Sequence, residues 1–111
     1  MDILLILKII AALATAATGL LSFVKPDAVY GFTGLTAQGA RGVSEVRAVF
    51  GGLFIALGLA PILLGQYQIL GIGYLAIAVT RTISIIFDKS TARSNLISLA
   101  IEIAFGAILV A

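Results

Sequence analysis

Four apolar segments, separated by short polar connections, constrain this sequence more than any other feature. They cover about residues 3–24, 44–64, 69–87 and 92–111. About 20 consecutive apolar residues are the length that an α-helix needs to cross the hydrocarbon core of a bilayer. A transmembrane barrel would instead need segments of alternating polarity, and none occurs. The pattern therefore predicts an all-α fold, an integral membrane four-helix bundle, with residues 1–111 as a single domain.

The composition agrees with a lipid environment. Hydrophobic residues make up 61% of the chain and charged residues only 11%, with a mean hydropathy of +1.21. A water-soluble domain of this size could not bury so much apolar surface. The net charge of +2 comes from basic residues beside the ends of the apolar segments, which indicates a topology signal rather than a nucleic-acid partner. We expect the protein to lie in a lipid bilayer, that of the cell (inner) membrane, and to have no nucleic-acid partner.

The connections predict the arrangement of the helices. Residues 65–68 and 88–91 form short connections, so neighbouring helices should run antiparallel in an up-down order. The first connection, residues 25–43, is longer, and Pro26 predicts a short interfacial helix that begins with proline at its first position.

Basic residues predict the orientation. The first and third connections lie on one side of a four-span protein, and they carry Lys25, Arg41, Lys89 and Arg93. Because cytoplasmic loops are enriched in lysine and arginine, both connections should face the cytoplasm. The N- and C-termini are then extracytoplasmic, and the protein is multi-pass.

Charged side chains within the apolar segments are the candidate functional residues, since each costs about 2.5–3.5 kcal/mol inside a membrane unless it has a partner. Glu102 belongs to a small, polar stripe with Ser98 and Gly106, so it should point at protein rather than lipid. Arg81 shares a face with Tyr74 and Asp88 and lies at a similar depth, so we expect it to pair with Glu102. The candidates for a buried charge network or ligand site are Glu45, Arg47, Tyr74, Arg81, Asp88 and Glu102.

Small residues on the second segment predict close packing on two faces. Ala48, Gly52 and Ala56 continue the face of Glu45, and Gly51 lies on the opposite face with Arg47. The candidates for close helix packing are Ala48, Gly51, Gly52, Ala56, Ser98 and Gly106.

Three interpretations of the charged residues remain open. They form a structural ion-pair network that sets helix register, or they line a cavity for a small charged or amphipathic ligand or lipid, or they contact another membrane protein. Histidine and cysteine are absent from the sequence, and no nucleophile or phosphate loop accompanies the carboxylates. We therefore expect no catalytic residues, no metal site, no cofactor and no enzyme activity.

The stretch Glu45-Val46-Arg47-Ala48-Val49-Phe50-Gly51-Gly52-Leu53 resembles a motif of small bacterial four-span membrane proteins of unknown function, a group similar to the DoxX-like membrane proteins. Arg81 with Asp88 also resembles the end of that group's third span. The positions that the resemblance marks are Glu45, Arg47, Gly51, Gly52 and Arg81. It implies an accessory membrane subunit, because some relatives are associated with quinone-linked oxidoreductases.

Two functions follow as the main hypotheses. The first is a non-enzymatic accessory or scaffold subunit, which predicts a membrane protein partner or a homo-oligomer. The alternative is a small transporter or membrane binding protein that uses Glu102, Glu45, Arg47 and Arg81 for a small charged or amphipathic ligand. Catalysis with Glu45 or Glu102 as a general base ranks last.

Overall fold

The computed structural model describes residues 2–111, and this part of the chain is helical with no strand. Its four long helices are α1 (Ile3–Val24), α2 (Gly39–Leu64), α3 (Gln68–Asp88) and α4 (Arg93–Val110). Each is long and apolar enough to cross a membrane. The prediction of an all-α protein with four candidate spans is confirmed, and α1, α3 and α4 begin and end close to the predicted residues.

Helix α2 begins earlier than predicted, at Gly39 rather than residue 44. Its first turns contain polar residues such as Arg41, so hydropathy locates the apolar span and not the start of the helix. The first connection, residues 25–38, is consequently shorter than predicted, and part of it is helical. It contains a 3-10 turn, Pro26–Val29, with Pro26 at its first position, followed by one α-helical turn, Tyr30–Thr33, which ends at Gly34 with a φ of 74°.

The middle of α2 is a π-helix, Val46–Leu53, and the residues on either side are α-helical. Hydrogen bonds in a π-helix join residues five apart, and such segments are rare and occur frequently at functional sites. This one coincides with the motif that begins at Glu45. The sequence pattern did not predict this π-helix, because the spacing of small and charged residues was interpreted with α-helical geometry throughout.

Helices α1 and α2 run antiparallel and touch at glycines. Gly19 of α1 lies so close to α2 that an added Cβ would be 2.6 Å from the backbone nitrogen of Ile55. Gly51 meets Phe23 in the same way, with 2.9 Å between the added Cβ and the Cβ of Phe23. Gly58 meets Ala16 about two turns further along α2. Glycine is needed here because any side chain would push the two helices apart.

Helices α3 and α4 form a second antiparallel pair. An added Cβ on Gly71 would lie 2.8 Å from the Cβ of Leu109, and one on Gly106 would lie 2.6 Å from the Cγ of Leu75. The two pairs meet along α1 and α4, around a small buried core. Its residues are Ala11, Ala12, Tyr67, Leu70 and Leu109. At one end of this contact, the Nζ of Lys8 donates to the backbone oxygen of Ala111 at 2.6 Å.

Helices α2 and α3 separate beyond the turn that joins them. The turn is tight because Gly65 adopts a φ of 68°, a conformation that favours glycine. An apolar groove then opens between the two helices, with Phe54 and Leu57 on one wall and Ile69 and Gly73 on the other.

Side-chain size is distributed as expected for a protein surrounded by lipid. The buried residues are mostly small, such as Ala11, Ala12 and Ser22, each at most 1% exposed. Many large apolar side chains face outward, and Leu63 and Phe87 are 81% and 80% exposed. Small residues at helix contacts are typical of membrane helices, because lipid tails are as apolar as leucine and burial of leucine brings little gain.

Candidate functional site

Arg81 of α3 and Glu102 of α4 form an ion pair in the interior of the second helix pair. The Nε of Arg81 donates to Oε1 of Glu102 at 2.8 Å, and its Nη2 donates to Oε2 at 2.7 Å. This is the parallel, two-bond geometry in which arginine binds a carboxylate most strongly. Glu102 is only 7% exposed, and it lies about 13 Å along α4 from Arg93. The structure thus joins the two residues that their depth predicted as partners.

Asn95 completes this cluster and was missed from the sequence. Its Oδ1 accepts a hydrogen bond from Nη1 of Arg81 at 2.7 Å. Its Nδ2 donates to the backbone oxygen of Ser90 at 2.9 Å and to the Ser90 hydroxyl at 3.0 Å. Asn95 precedes Glu102 by seven residues, a spacing that places both on one helix face and could have identified it.

Glu102 is bonded to Arg81 through both of its carboxylate oxygens. Across residues 2–111, every buried side-chain nitrogen or oxygen has a hydrogen-bond partner. A buried ion pair of this kind tolerates the loss of one partner poorly, since the remaining charge is left unpaired.

Arg47 lies away from this cluster, at the end of α1. Its Nη1 donates to the backbone oxygen of Phe23 at 2.7 Å, and its guanidinium carbon lies 6.0 Å from the centre of the Phe23 ring. The last carbonyls of a helix have no partner within the helix and carry partial negative charge. Arg47 therefore caps the C-terminal end of α1, one turn from the contact between Gly51 and Phe23.

Glu45 and Asp88 also lie apart from this cluster, so the structure does not join the six candidate residues into one buried network. Glu45 pairs with Arg41 at 2.6 Å, and both side chains are largely exposed. Asp88 is exposed and accepts from the Ser84 hydroxyl at 2.7 Å. α-Helical spacing placed these residues on suitable faces, but their positions near helix ends leave them at the surface.

Tyr74 takes part in a separate contact. Its hydroxyl hydrogen-bonds the hydroxyl of Thr15 on α1, and its ring packs edge to face on Phe105 with 5.5 Å between ring centres. Thr15 was not singled out from the sequence. It is 3% exposed and lies on the buried face of α1 with Ala11 and Gly19, a spacing that identifies it in hindsight.

Of the residues predicted for close packing, two are buried at helix contacts. Gly51 faces α1 and Gly106 faces α3, and Ser98 is half-buried on the same side of α4 as Gly106. Ala48, Gly52 and Ala56 are exposed, so no helix within residues 2–111 covers this face, and its close packing stays a prediction. Helix α1 covers only the glycine face of α2, and α3 diverges from the other.

Two clefts open along α3, and Arg81 lines one of them. The polar cleft, with a volume of about 440 Å³, is lined by Ala76, Ile77, Thr80, Arg81, Ser84, Ser90 and Asn95. The apolar groove between α2 and α3 is lined by Thr15, Phe54, Leu57, Ile69, Leu70, Gly73, Tyr74 and Ile77. Residues 2–111 contain no group of three or more metal-ligating side chains placed to hold an ion.

Fold and site together define a small membrane protein whose four apolar helices are joined by small residues and one buried ion pair. The chain belongs to the family described as Domain of unknown function (DUF4345), whose model matches residues 3–111. No curated protein and no solved structure matches it. The family supports the coarser part of the resemblance, a small membrane protein of unknown function, and shows no similarity to DoxX-like proteins.

Proposed function

We propose that this protein is a non-enzymatic accessory or scaffold subunit, whose four helices cross the bilayer in alternating directions and hold a partner membrane protein. The observation that carries this proposal is the uncovered face of α2 formed by Ala48, Gly52 and Ala56, which we call the outer face. All three residues are exposed. An added Cβ on Gly52 would meet nothing nearer than a backbone oxygen of its own helix at 3.9 Å.

The opposite face of α2 indicates what such a surface does in this protein. There, Gly51 and Gly58 allow α1 to approach to backbone contact. The outer face repeats small residues every four positions, which is a pattern that allows two membrane helices to pack closely. A second helix therefore fits against α2 on this side, in the manner that α1 already does on the other.

The occupant that we favour is a transmembrane helix of a different protein with a polar residue near its end. Glu45 lies at one end of the outer face and is paired with Arg41, and both are largely exposed. This ion pair offers hydrogen-bonding groups to a partner at the level where α2 leaves the apolar region. A second copy of this chain is the competing occupant, and the experiment below distinguishes the two.

The state of the carboxylates supports a non-enzymatic role. Glu102 and Glu45 are each paired with an arginine, which favours a structural over a catalytic role for both carboxylates. The buried pair of Arg81 and Glu102 instead links α3 to α4, which is a structural task.

The experiment is native mass spectrometry on protein extracted gently from membranes, with two matched glycine variants. Gly52→Leu fills the outer face, and Gly73→Leu adds the same side chain on α3, where an added Cβ has open space. We expect a discrete larger complex that Gly52→Leu disrupts and Gly73→Leu leaves intact. A complex containing only copies of this chain would replace the partner with self-association. A monomer in every sample would overturn the proposal.

The polar cleft favours a second candidate, a small transporter. Arg81 lines this cleft and is bonded to the buried Glu102. Glu45 and Arg47 lie elsewhere, so this hypothesis no longer includes them. In such a transporter a cation and a proton would compete for Glu102. Binding of a cationic ligand should then release protons and disappear in Glu102→Gln. Binding that survives this substitution without proton release would exclude the mechanism.

A further inference from the structure

The polar cleft and the apolar groove adjoin along α3. Ile77 lines both of them, and the groove extends along α3 past Gly73. Arg81 and Gly73 are separated by eight residues, or about 12 Å of helix. One leaflet of the hydrocarbon core is about 15 Å thick. Together the two clefts offer a channel that is polar at one end and apolar beyond it, with a length that one acyl chain can follow within one leaflet.

The polar end retains hydrogen-bond donors that the protein does not use. Arg81 has five N–H groups, and its contacts within residues 2–111 leave one on Nη1 and one on Nη2 without an acceptor. Its side chain is 29% exposed at the cleft. The Ser90 hydroxyl accepts from Asn95, so its own proton is free to be donated. These donors suit the oxygens of a phosphate group.

The charge balance at this end is slightly positive. Lys89 and Arg93 are exposed on either side of Ser90 and add to Arg81. Two carboxylates oppose them: Glu102, which is bound to Arg81, and Asp88, which accepts from Ser84. Three cationic side chains against two anionic ones leave one positive charge for a ligand. Basic pockets between membrane helices near the bilayer surface are typical sites for anionic lipid headgroups.

We propose that this channel binds one anionic phospholipid. Its phosphate accepts from Arg81 and Ser90, and one acyl chain lies along α3 between Gly73 and the wall formed by Phe54 and Leu57. The lipid fills the gap that the separation of α2 and α3 leaves in the apolar part of the structure. This inference is independent of the proposed function, because the outer face of α2 contributes nothing to the channel.

Four variants test the two ends of the channel separately. Ser90→Asp places a negative charge among the phosphate donors, and Thr36→Asp adds the same charge in the first connection as its control. Gly73→Leu fills the apolar groove, where an added Cβ meets nothing within 4 Å, and Gly52→Leu is its control on α2. Ser90 lies in the connection between α3 and α4 and is half-buried, and the other three positions are exposed, so no substitution falls at a close helix contact.

Each protein is placed in nanodiscs of equal parts phosphatidylglycerol and phosphatidylcholine, and native mass spectrometry counts the lipids retained. We expect one phosphatidylglycerol per chain in the wild type and both controls, and about tenfold less in Ser90→Asp and Gly73→Leu. Equal retention of the two lipids in all samples would overturn the proposal. Loss in Ser90→Asp alone, with displacement by inorganic phosphate, would show a free-phosphate site instead and would also overturn it.

Failure of this proposal is distinct from failure of the proposed function. The partner complex is expected to depend on Gly52 and not on Gly73, whereas the bound lipid is expected to depend on Gly73 and not on Gly52. The same two variants therefore give opposite results in the two measurements.

Discussion

At the scale of single residues, each arginine near the helices has a different task. Arg81 neutralises a carboxylate that would otherwise be buried as an unpaired charge. Arg47 binds the backbone oxygen of Phe23 at the end of α1. Arg41 pairs with Glu45 at an exposed surface, where ion pairs contribute little. The planar guanidinium suits the first two tasks because it offers several donors in fixed directions.

Removal of Arg81 should strand Glu102. We expect Arg81→Ala to lower the free energy of unfolding by about 3–5 kcal/mol, because the carboxylate is left buried without its partner. The double variant with Glu102→Gln should recover part of this loss, since no charge then remains to be buried. Unfolding of the purified protein in mixed micelles measures both values. Equal stability of the single and double variants would contradict the pairing as a source of stability.

The two arginines of α2, Arg41 and Arg47, provide a matched comparison. Arg47→Leu should lower the free energy of unfolding by about 1 kcal/mol through loss of a hydrogen bond from a charged donor. Arg41→Leu should change it by less than about 0.5 kcal/mol, as for other exposed pairs. The same micelle unfolding assay applies. If Arg41→Leu were the more damaging change, Arg47 would have no role at the end of α1.

At the scale of helices, α1 and α2 are joined by glycines and α-helical geometry is interrupted where they meet. The π-helix Val46–Leu53 contains both Gly51, which touches Phe23, and Arg47, which binds the backbone of the same residue. One motif thus makes two contacts with one point on α1. We infer that Arg47 and Gly51 serve helix contact, while Ala48 and Gly52 of the same segment face outward.

The close contact between α1 and α2 predicts that the stability cost of a leucine substitution depends strongly on which glycine is replaced. Gly58→Leu should lower the free energy of unfolding by at least about 3 kcal/mol, because its Cβ would lie 2.7 Å from the Cβ of Ala16 on α1. Gly73→Leu should be neutral or slightly stabilising, since an exposed glycine is a poor helix former. Thermal unfolding in detergent compares the two. Similar losses for both would mean that α1 and α2 do not approach as closely as described.

At the scale of the whole molecule, the four helices form two antiparallel pairs that meet along α1 and α4. The interior holds mostly small residues and one ion pair, and many large apolar side chains face outward, as at Leu63 and Phe87. Such an apolar exterior suits a surrounding of lipid.

Topology is testable because the sequence contains no cysteine. Single cysteines introduced at Thr36 and Thr91 should react with a membrane-impermeant thiol reagent from one side, and a cysteine at Gln66 should react from the other. The positive-inside rule predicts that the first two face the cytoplasm. Labelling of intact cells and of inverted vesicles measures this. Reaction of all three positions from the same side would exclude four membrane crossings in alternating directions.

The sequence by itself determined the class of fold and the partner of the deepest charge. Segment length and hydropathy predict four helices because backbone groups inside lipid must bond within their own helix. The pairing of Arg81 with Glu102 was predictable from depth alone, since an isolated charge at that level is too costly.

Only the tertiary structure decided how the faces of α2 are used. Periodicity shows that Gly51 and Gly52 lie on different faces, but it does not say which face a neighbouring helix will cover. That choice depends on where α1 and α3 sit, and α3 diverges after the turn at Gly65. The π-helix, the cap of Arg47 on α1 and the position of Ile77 between the two clefts likewise depend on distances that no one-dimensional pattern contains.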